Sequence, residues 1–168
     1  RSWRWAALHF CGYGDGAGAV FADAADGEEV VVMYAVVSDV EKYPQFLPWV
    51  VGLRILSRRE GGLTAEMAVG YGALRERYTS EVKLDPSMHR IDVAQTKGPF
   101  KTLENHWQFT PRETGCEVAF SILFEFKSRL LHSLAGDKFE KVMLKMADAF
   151  EARAKEIQSP SNNKATGQ

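Results

Sequence analysis

The sequence predicts an α+β fold in which a curved antiparallel sheet wraps around a long C-terminal helix, with an apolar cavity between the two. Three observations predict it. From Val51 to Phe126, apolar and polar residues alternate in successive runs, the period-two signature of strands with one buried face. Short turns such as Asp85-Pro86-Ser87-Met88 and Thr110-Pro111-Arg112-Glu113-Thr114-Gly115 join the runs, so neighbouring strands pair antiparallel. After Phe126 the period changes. Phe139, Val142, Met143, Met146, Ala147 and Phe150 recur three and four residues apart, the stripe of an amphipathic helix that covers a sheet.

The 168 residues suit one domain, and 45% hydrophobic with 26% charged residues is an ordinary globular balance. The net charge of −1 provides no global field for nucleic acid, and none is expected as a partner. Cys11 and Cys116 make neither a disulfide framework nor a metal spacing. The longest apolar run, Val30 to Val37, is far short of the roughly 20 residues that span a bilayer, so membrane contact is expected to be peripheral.

Residues 1–27 read as a flexible segment, because Gly12, Gly14, Gly16 and Gly18 alternate with small or polar residues. The chain opens on Arg, and Arg1-Ser2-Trp3-Arg4-Trp5 has the composition of a presequence tail. Asp15, Asp23 and Asp26 argue against all 27 residues being presequence. Ala19-Val20-Phe21 is the candidate for an opening strand. Glu28 to Val40 reads as a largely buried helix with Glu28 and Glu29 in its first turn, although a Val-rich strand from Val30 to Val37 is also open.

The helix must stop near Tyr43, because Pro44 and Pro48 remove donors and restrict their predecessors. A kinked aromatic segment, Tyr43-Pro44-Gln45-Phe46-Leu47-Pro48-Trp49, follows and is expected to cover the core or a cavity mouth. About six strands come next. Val51, Leu53 and Ile55 share one parity, as do Leu63, Ala65, Met67, Val69 and Tyr71, then Leu74, Tyr78, Val82 and Leu84. Ile91 and Val93, Leu103 to Phe109, and Cys116 to Phe126 complete the series. Ser128 is the expected cap of the final helix, with Gly136-Asp137 a possible break. The globular domain is thus 28–158, and 159–168 reads as a disordered tail.

No catalytic constellation emerges. His9, His89, His106 and His132 stand at no metal spacing, and His106 has outward parity. There is no Gly-x-Ser-x-Gly elbow and no phosphate loop. The inward stripes carry the signal instead. Tyr71, Tyr78, Trp107, Phe109, Phe120, Phe124 and Phe126 share one layer as core or pocket wall. Asn105 sits between Leu103 and Trp107 on the apolar parity, where its amide must bond a neighbouring side chain or a ligand carbonyl. Glu76 and Ser80 raise the same question. Met67, Met143 and Met146 suit core filling or a greasy ligand.

Three stretches in order, Asp39 to Trp49, Gly98 to Phe109 and Phe124-Glu125-Phe126-Lys127-Ser128, resemble the coenzyme Q-binding proteins with the START-like (polyketide cyclase/lipid transport) fold. The resemblance covers Tyr34 to Ala154 and implies a helix-grip fold. It implies non-catalytic binding and delivery of ubiquinone or a similar polyprenyl quinone, for respiratory electron transport and ubiquinone biosynthesis, peripherally at the matrix side of the mitochondrial inner membrane. Ubiquinone would be a bound ligand, and no cofactor is implied. The expected ligand-binding residues are Phe46, Leu47, Pro48, Trp49, Met67, Tyr71, Tyr78, Phe100, Asn105, Trp107, Phe124, Met143 and Met146, with Phe46 to Trp49 as a movable lid. Two alternatives stand beside this: a polyketide cyclase/aromatase-like enzyme using Glu76, Tyr78 and Asn105, and a ribosome-associated toxin-like protein using Arg54, Arg58, Arg59, Arg75 and Arg77. Lys127, Arg129, Lys138, Lys141 and Lys145, with Leu130 and Leu131, are candidates for lipid-headgroup contact.

Overall fold

Backbone pairing in the computed structural model, which describes residues 4–10, 28–111 and 116–158, links seven antiparallel strands in the order β1-β7-β6-β5-β4-β3-β2. The strands are β1 (Arg4–Phe10), β2 (Val50–Arg59), β3 (Gly62–Tyr71), β4 (Leu74–Asp85), β5 (Arg90–Lys97), β6 (Phe100–Pro111) and β7 (Cys116–Phe126). Helix α1 is Glu28–Ser38, a short α2 is Tyr43–Phe46, and α3 is Arg129–Gln158. This is the expected helix-grip arrangement with one strand more than the sequence indicated.

The extra strand corrects the reading of the first 27 residues. Arg4–Phe10 pairs with β7 from Arg4↔Phe124 to Phe10↔Val118. An edge strand needs only a partner for its backbone groups and carries little period-two pattern of its own, so composition read it as part of a flexible segment. The Ala19–Phe21 candidate and the 159–168 tail lie outside the described residues.

The proline-rich segment is more helical than expected. α1 ends at Ser38, a 3₁₀ turn spans Val40–Lys42, and Pro44 sits in the first turn of α2, where a missing N–H costs nothing. Leu47 N donates to the Tyr43 carbonyl at 2.8 Å and closes the turn. In α3 there is no break at Gly136-Asp137; the helix is continuous from its cap, where Ser128 Oγ accepts from Leu130 N at 3.2 Å.

Bulges curl the sheet. One lies between Val50 and Gly52, and it corrects the parity read for β2: Val50 is buried and Val51 is 61% exposed. Another lies between Thr79 and Ser80. The β5–β6 turn is pressed onto β4 at Gly98, where a Cβ would stand 2.5 Å from that of Tyr78, so only glycine fits. The sheet's concave face supplies Leu63, Val82, Ile91, Phe109 and Phe120 to the core, and α1 and α3 close it with Val37 and Phe150.

Candidate functional site

The concave face does not pack fully against the helices. A cavity of about 240 Å³ remains, walled by β3, β4, β5, β6 and β7, by the Val40–Val50 segment and by α3. Its depth follows from the exposure of its lining. Val82, Ile91, Trp107 and Phe120 are buried, Trp49, Leu74, Glu76 and Pro99 are half-buried, and Ala73 is exposed. The mouth therefore lies between the β3–β4 and β5–β6 turns, Trp49 and α3.

The kinked segment lines this cavity with alternate turns of its chain. Tyr43, Leu47 and Trp49 face inward. Phe46 and Pro48 are not on the lining. Phe46 packs edge-on against Tyr43 and Phe150, at 5.9 and 5.5 Å, with the Arg153 guanidinium 5.5 Å from its ring centre. It anchors α2 to α3, because the helical turn rotates its side chain away from the cavity.

The deep wall is aromatic. Trp107 lies 4.3 Å from Phe120 and 5.4 Å from Phe150 between ring centres. Tyr78 meets Phe100 edge-on at 6.2 Å, and Phe100 stacks on Phe126 at 4.8 Å. Phe124, also expected here, is fully buried beside Phe126 and does not reach the cavity. Met67, Tyr78, Phe100, Asn105, Trp107 and Met146 line it. The side chains of Tyr71 and Met143 lie outside the described residues.

Polar groups on the lining are few, and most are engaged. Tyr43 Oη donates to the Val37 carbonyl, and burial pushes its phenol far above the ordinary range. Tyr78 Oη donates to Met67 Sδ at 3.1 Å, and burial pushes its phenol to about 12, so it stays neutral at physiological pH. Trp107 Nε1 donates to Asn105 Oδ1 at 3.1 Å. Of the two partners open to Asn105 in the sequence, the structure shows a neighbouring side chain on its own strand. Ser80 Oγ is buried without a hydrogen-bond partner.

Sequence reasoning missed Tyr43, Leu103 and Phe150 as cavity walls. The first stood in the aromatic segment, and the rest stood on inward parity, so the pattern held the signal but could not separate wall from core. Among the described residues no group of three His, Cys, Asp or Glu can hold a metal, and no helix is long and apolar enough to cross a membrane. His106 is outward, 2.5 Å from Asp92.

The five arginines of β2 and β4 do not form a bare basic face. Arg54 and Arg77 share Glu66 at 3.2 and 3.3 Å, Arg58 pairs with Glu41 and Arg59 with Glu81. Arg75 donates to the Gly72 and Leu74 carbonyls.

Comparison with known proteins places this architecture. The family model described as polyketide cyclase / dehydrase and lipid transport matches residues 29–151. The chain belongs to this family. It is 38% identical to the ribosome association toxin RatA of Rickettsia prowazekii over 74% of this chain and 88% of that protein. It is 37% identical to the Coenzyme Q-binding protein COQ10 homolog B of Xenopus laevis over 78% of this chain and 55% of that protein. A START superfamily protein from Mycobacterium smegmatis shares the fold, with a TM-score of 0.65 at 21% identity over 92% of this chain and 98% of the other. The family and the START-like fold expected from the three stretches are thus those observed. The expected mitochondrial location is overturned. The relatives named RatA and PasT, at 34 to 38% identity, are bacterial, from cells without mitochondria, and the short motifs shared with a mitochondrial protein carry a fold rather than an address.

Proposed function

We propose that this family member binds a prenylated quinone, ubiquinone or a close relative, and hands it on without covalent chemistry. The observation that carries the reading is the cavity: aromatic, apolar, open at one end, with a few hydrogen-bonding groups on its walls. A quinone ring is flat and offers only acceptors, which such walls suit. At about 240 Å³ the cavity lies just below the roughly 300–1,000 Å³ of pockets for drug-sized ligands, so it takes a ring and the first stretch of chain. The rest of a polyprenyl tail leaves through the mouth. The similarity to a protein named for coenzyme Q binding supports the same class of ligand.

The mouth suits a lipid surface. Lys127 N donates to the carbonyl of Pro99, a lining residue, at 2.9 Å, which sets the start of α3 beside the rim. There Leu130 is 68% exposed and flanked by exposed Lys127 and Arg129. Basic residues around an exposed leucine favour peripheral contact with anionic lipid. A protein docked there delivers quinone to membrane enzymes of electron transfer and quinone synthesis.

Trp49 and Trp107 report occupancy. Titration with a short-tailed 1,4-benzoquinone is expected to quench their fluorescence saturably at micromolar concentration, and a linear, unsaturable response would overturn the reading. A second reading, ribosome binding, is favoured by the relatives named ribosome association toxins. Salt-sensitive co-sedimentation with ribosomes would support it, since exposed ion pairs such as Arg54–Glu66 are weak enough to yield to phosphate. An enzyme of the cyclase type needs an acid/base pair, and the carboxylate of Glu76 on the lining has no ion pair or hydrogen bond with any described residue.

A further inference from the structure

The polar groups of the cavity divide into those already engaged and those that are not. Tyr43, Tyr78 and Trp107 spend their protons on Val37, Met67 and Asn105. Inside the rim, where Trp49 carries a further indole N–H, two donors remain without a protein acceptor among the described residues. One is Ser80 Oγ, on a residue 5% exposed. The other is Nδ2 of Asn105, whose Oδ1 is held by the indole of Trp107, fixing the amide so that its amino group is the half left for a ligand. A buried hydroxyl with no partner is uncommon, because it forfeits its bond to water.

Their placement defines a distance. Ser80 is on β4 and Asn105 on β6, with β5 between them. Val82 pairs with Val93 and Val93 with Asn105, so the two donors stand two strands across and two residues along. Strand spacing of about 4.8 Å and a rise of about 3.4 Å per residue put the positions roughly 12 Å apart. These are backbone positions, and the hydroxyl and the amide reach from them into the cavity, so that a hydrogen bond of about 2.8 Å from each meets acceptors at two ends of one small ligand. A six-membered ring with oxygens on opposite carbons is such a ligand. Glu76, the carboxylate on the lining, is four residues along β4 from Ser80 toward the mouth, away from the proposed seat of the ring.

We propose that Ser80 and Asn105 form a two-point clamp on the opposed carbonyls of a para-quinone, seating the ring deep and sending its tail to the mouth. This rests on the reading that the cavity takes a prenylated quinone. It adds a redox preference. Asn105 turns its amino group to the ring, so the carbonyl of the oxidised form, a better acceptor that brings no proton of its own to place, is favoured there over the phenolic O–H of the hydroquinone.

The test is calorimetric titration of the full chain with three probes: a short-tailed 1,4-benzoquinone, its hydroquinone under anaerobic conditions, and the same tail on a benzene ring without oxygens. Wild type is expected to favour the quinone over the hydroquinone about tenfold. Ser80→Ala and Asn105→Ala are each expected to weaken the quinone about tenfold and leave the alkylbenzene unchanged, with Asn105→Ala also losing the redox preference. Unchanged quinone affinity in both folded variants, or equal loss for quinone and alkylbenzene, overturns the clamp alone. A wild type that binds none of the probes overturns the quinone reading and the clamp with it. If Asn105→Ala does not fold, Ser80→Ala decides, because it deletes only an unpartnered oxygen.

Discussion

Trp107 donates its indole N–H to the side-chain oxygen of Asn105, two residues back on β6, across 3.1 Å. The bond settles a polar group on an apolar face and orients it. Trp107→Phe keeps most of the ring contact with Phe120 and Phe150 but removes that donor. Stability is expected to fall by about 1 kcal/mol, the usual net worth of such a bond where the freed oxygen still meets the cavity. Urea unfolding should show a lower midpoint at unchanged slope.

Trp49 stands at the rim, and its backbone carbonyl accepts from Gly70 N at 2.8 Å independently of its side chain. Trp49→Ala should therefore leave the sheet intact by circular dichroism while bound quinone leaves several times faster, as read by retention through gel filtration. Unchanged retention in a folded variant would remove Trp49 from the lid.

Phe150 is 2% exposed and touches Tyr43, Phe46 and Trp107, joining α3 to the kinked segment and to the sheet. Phe150→Ala is expected to cost about 3–5 kcal/mol, the range for emptying a buried aromatic site. Half-buried Phe46→Ala should cost less. Thermal unfolding of both variants checks the order.

Burial raises the phenol of Tyr78 to about 12 and that of Tyr43 further. Both groups favour the protonated form when folded, so their contribution to stability is complete below pH 10; that of Tyr78 is lost as pH rises through 10 to 12, and that of Tyr43 continues to fall above this. Ligand binding should be flat from pH 6 to 9 with respect to these groups. Alkaline unfolding should begin above pH 10, and Tyr78→Phe should lessen its steepness.

Much of this was legible in the residues. Parity along Leu63–Val69 and Leu103–Phe109 placed the sheet's buried face correctly, because the strand period is rigid. It misassigned Val51, where a bulge inserts a residue and inverts the faces. The aromatic segment was found, but not which of its rings face inward. Pro44 was read as ending helix, whereas it begins one, and a single helical turn exchanges Tyr43 for Phe46 at the cavity. Phe124 and Phe120 share one parity, yet only Phe120 reaches the empty space, since a cavity is set by what the helices fail to fill. β1 escaped notice because an edge strand shows itself through its partner.

The central claim is that the cavity holds a prenylated quinone. Organic extraction of the purified chain from a quinone-making host, followed by mass spectrometry, tests it most directly. A prenylquinone near one equivalent per chain is the expected result. Phospholipid alone, or no lipid from protein folded by circular dichroism, would contradict the account.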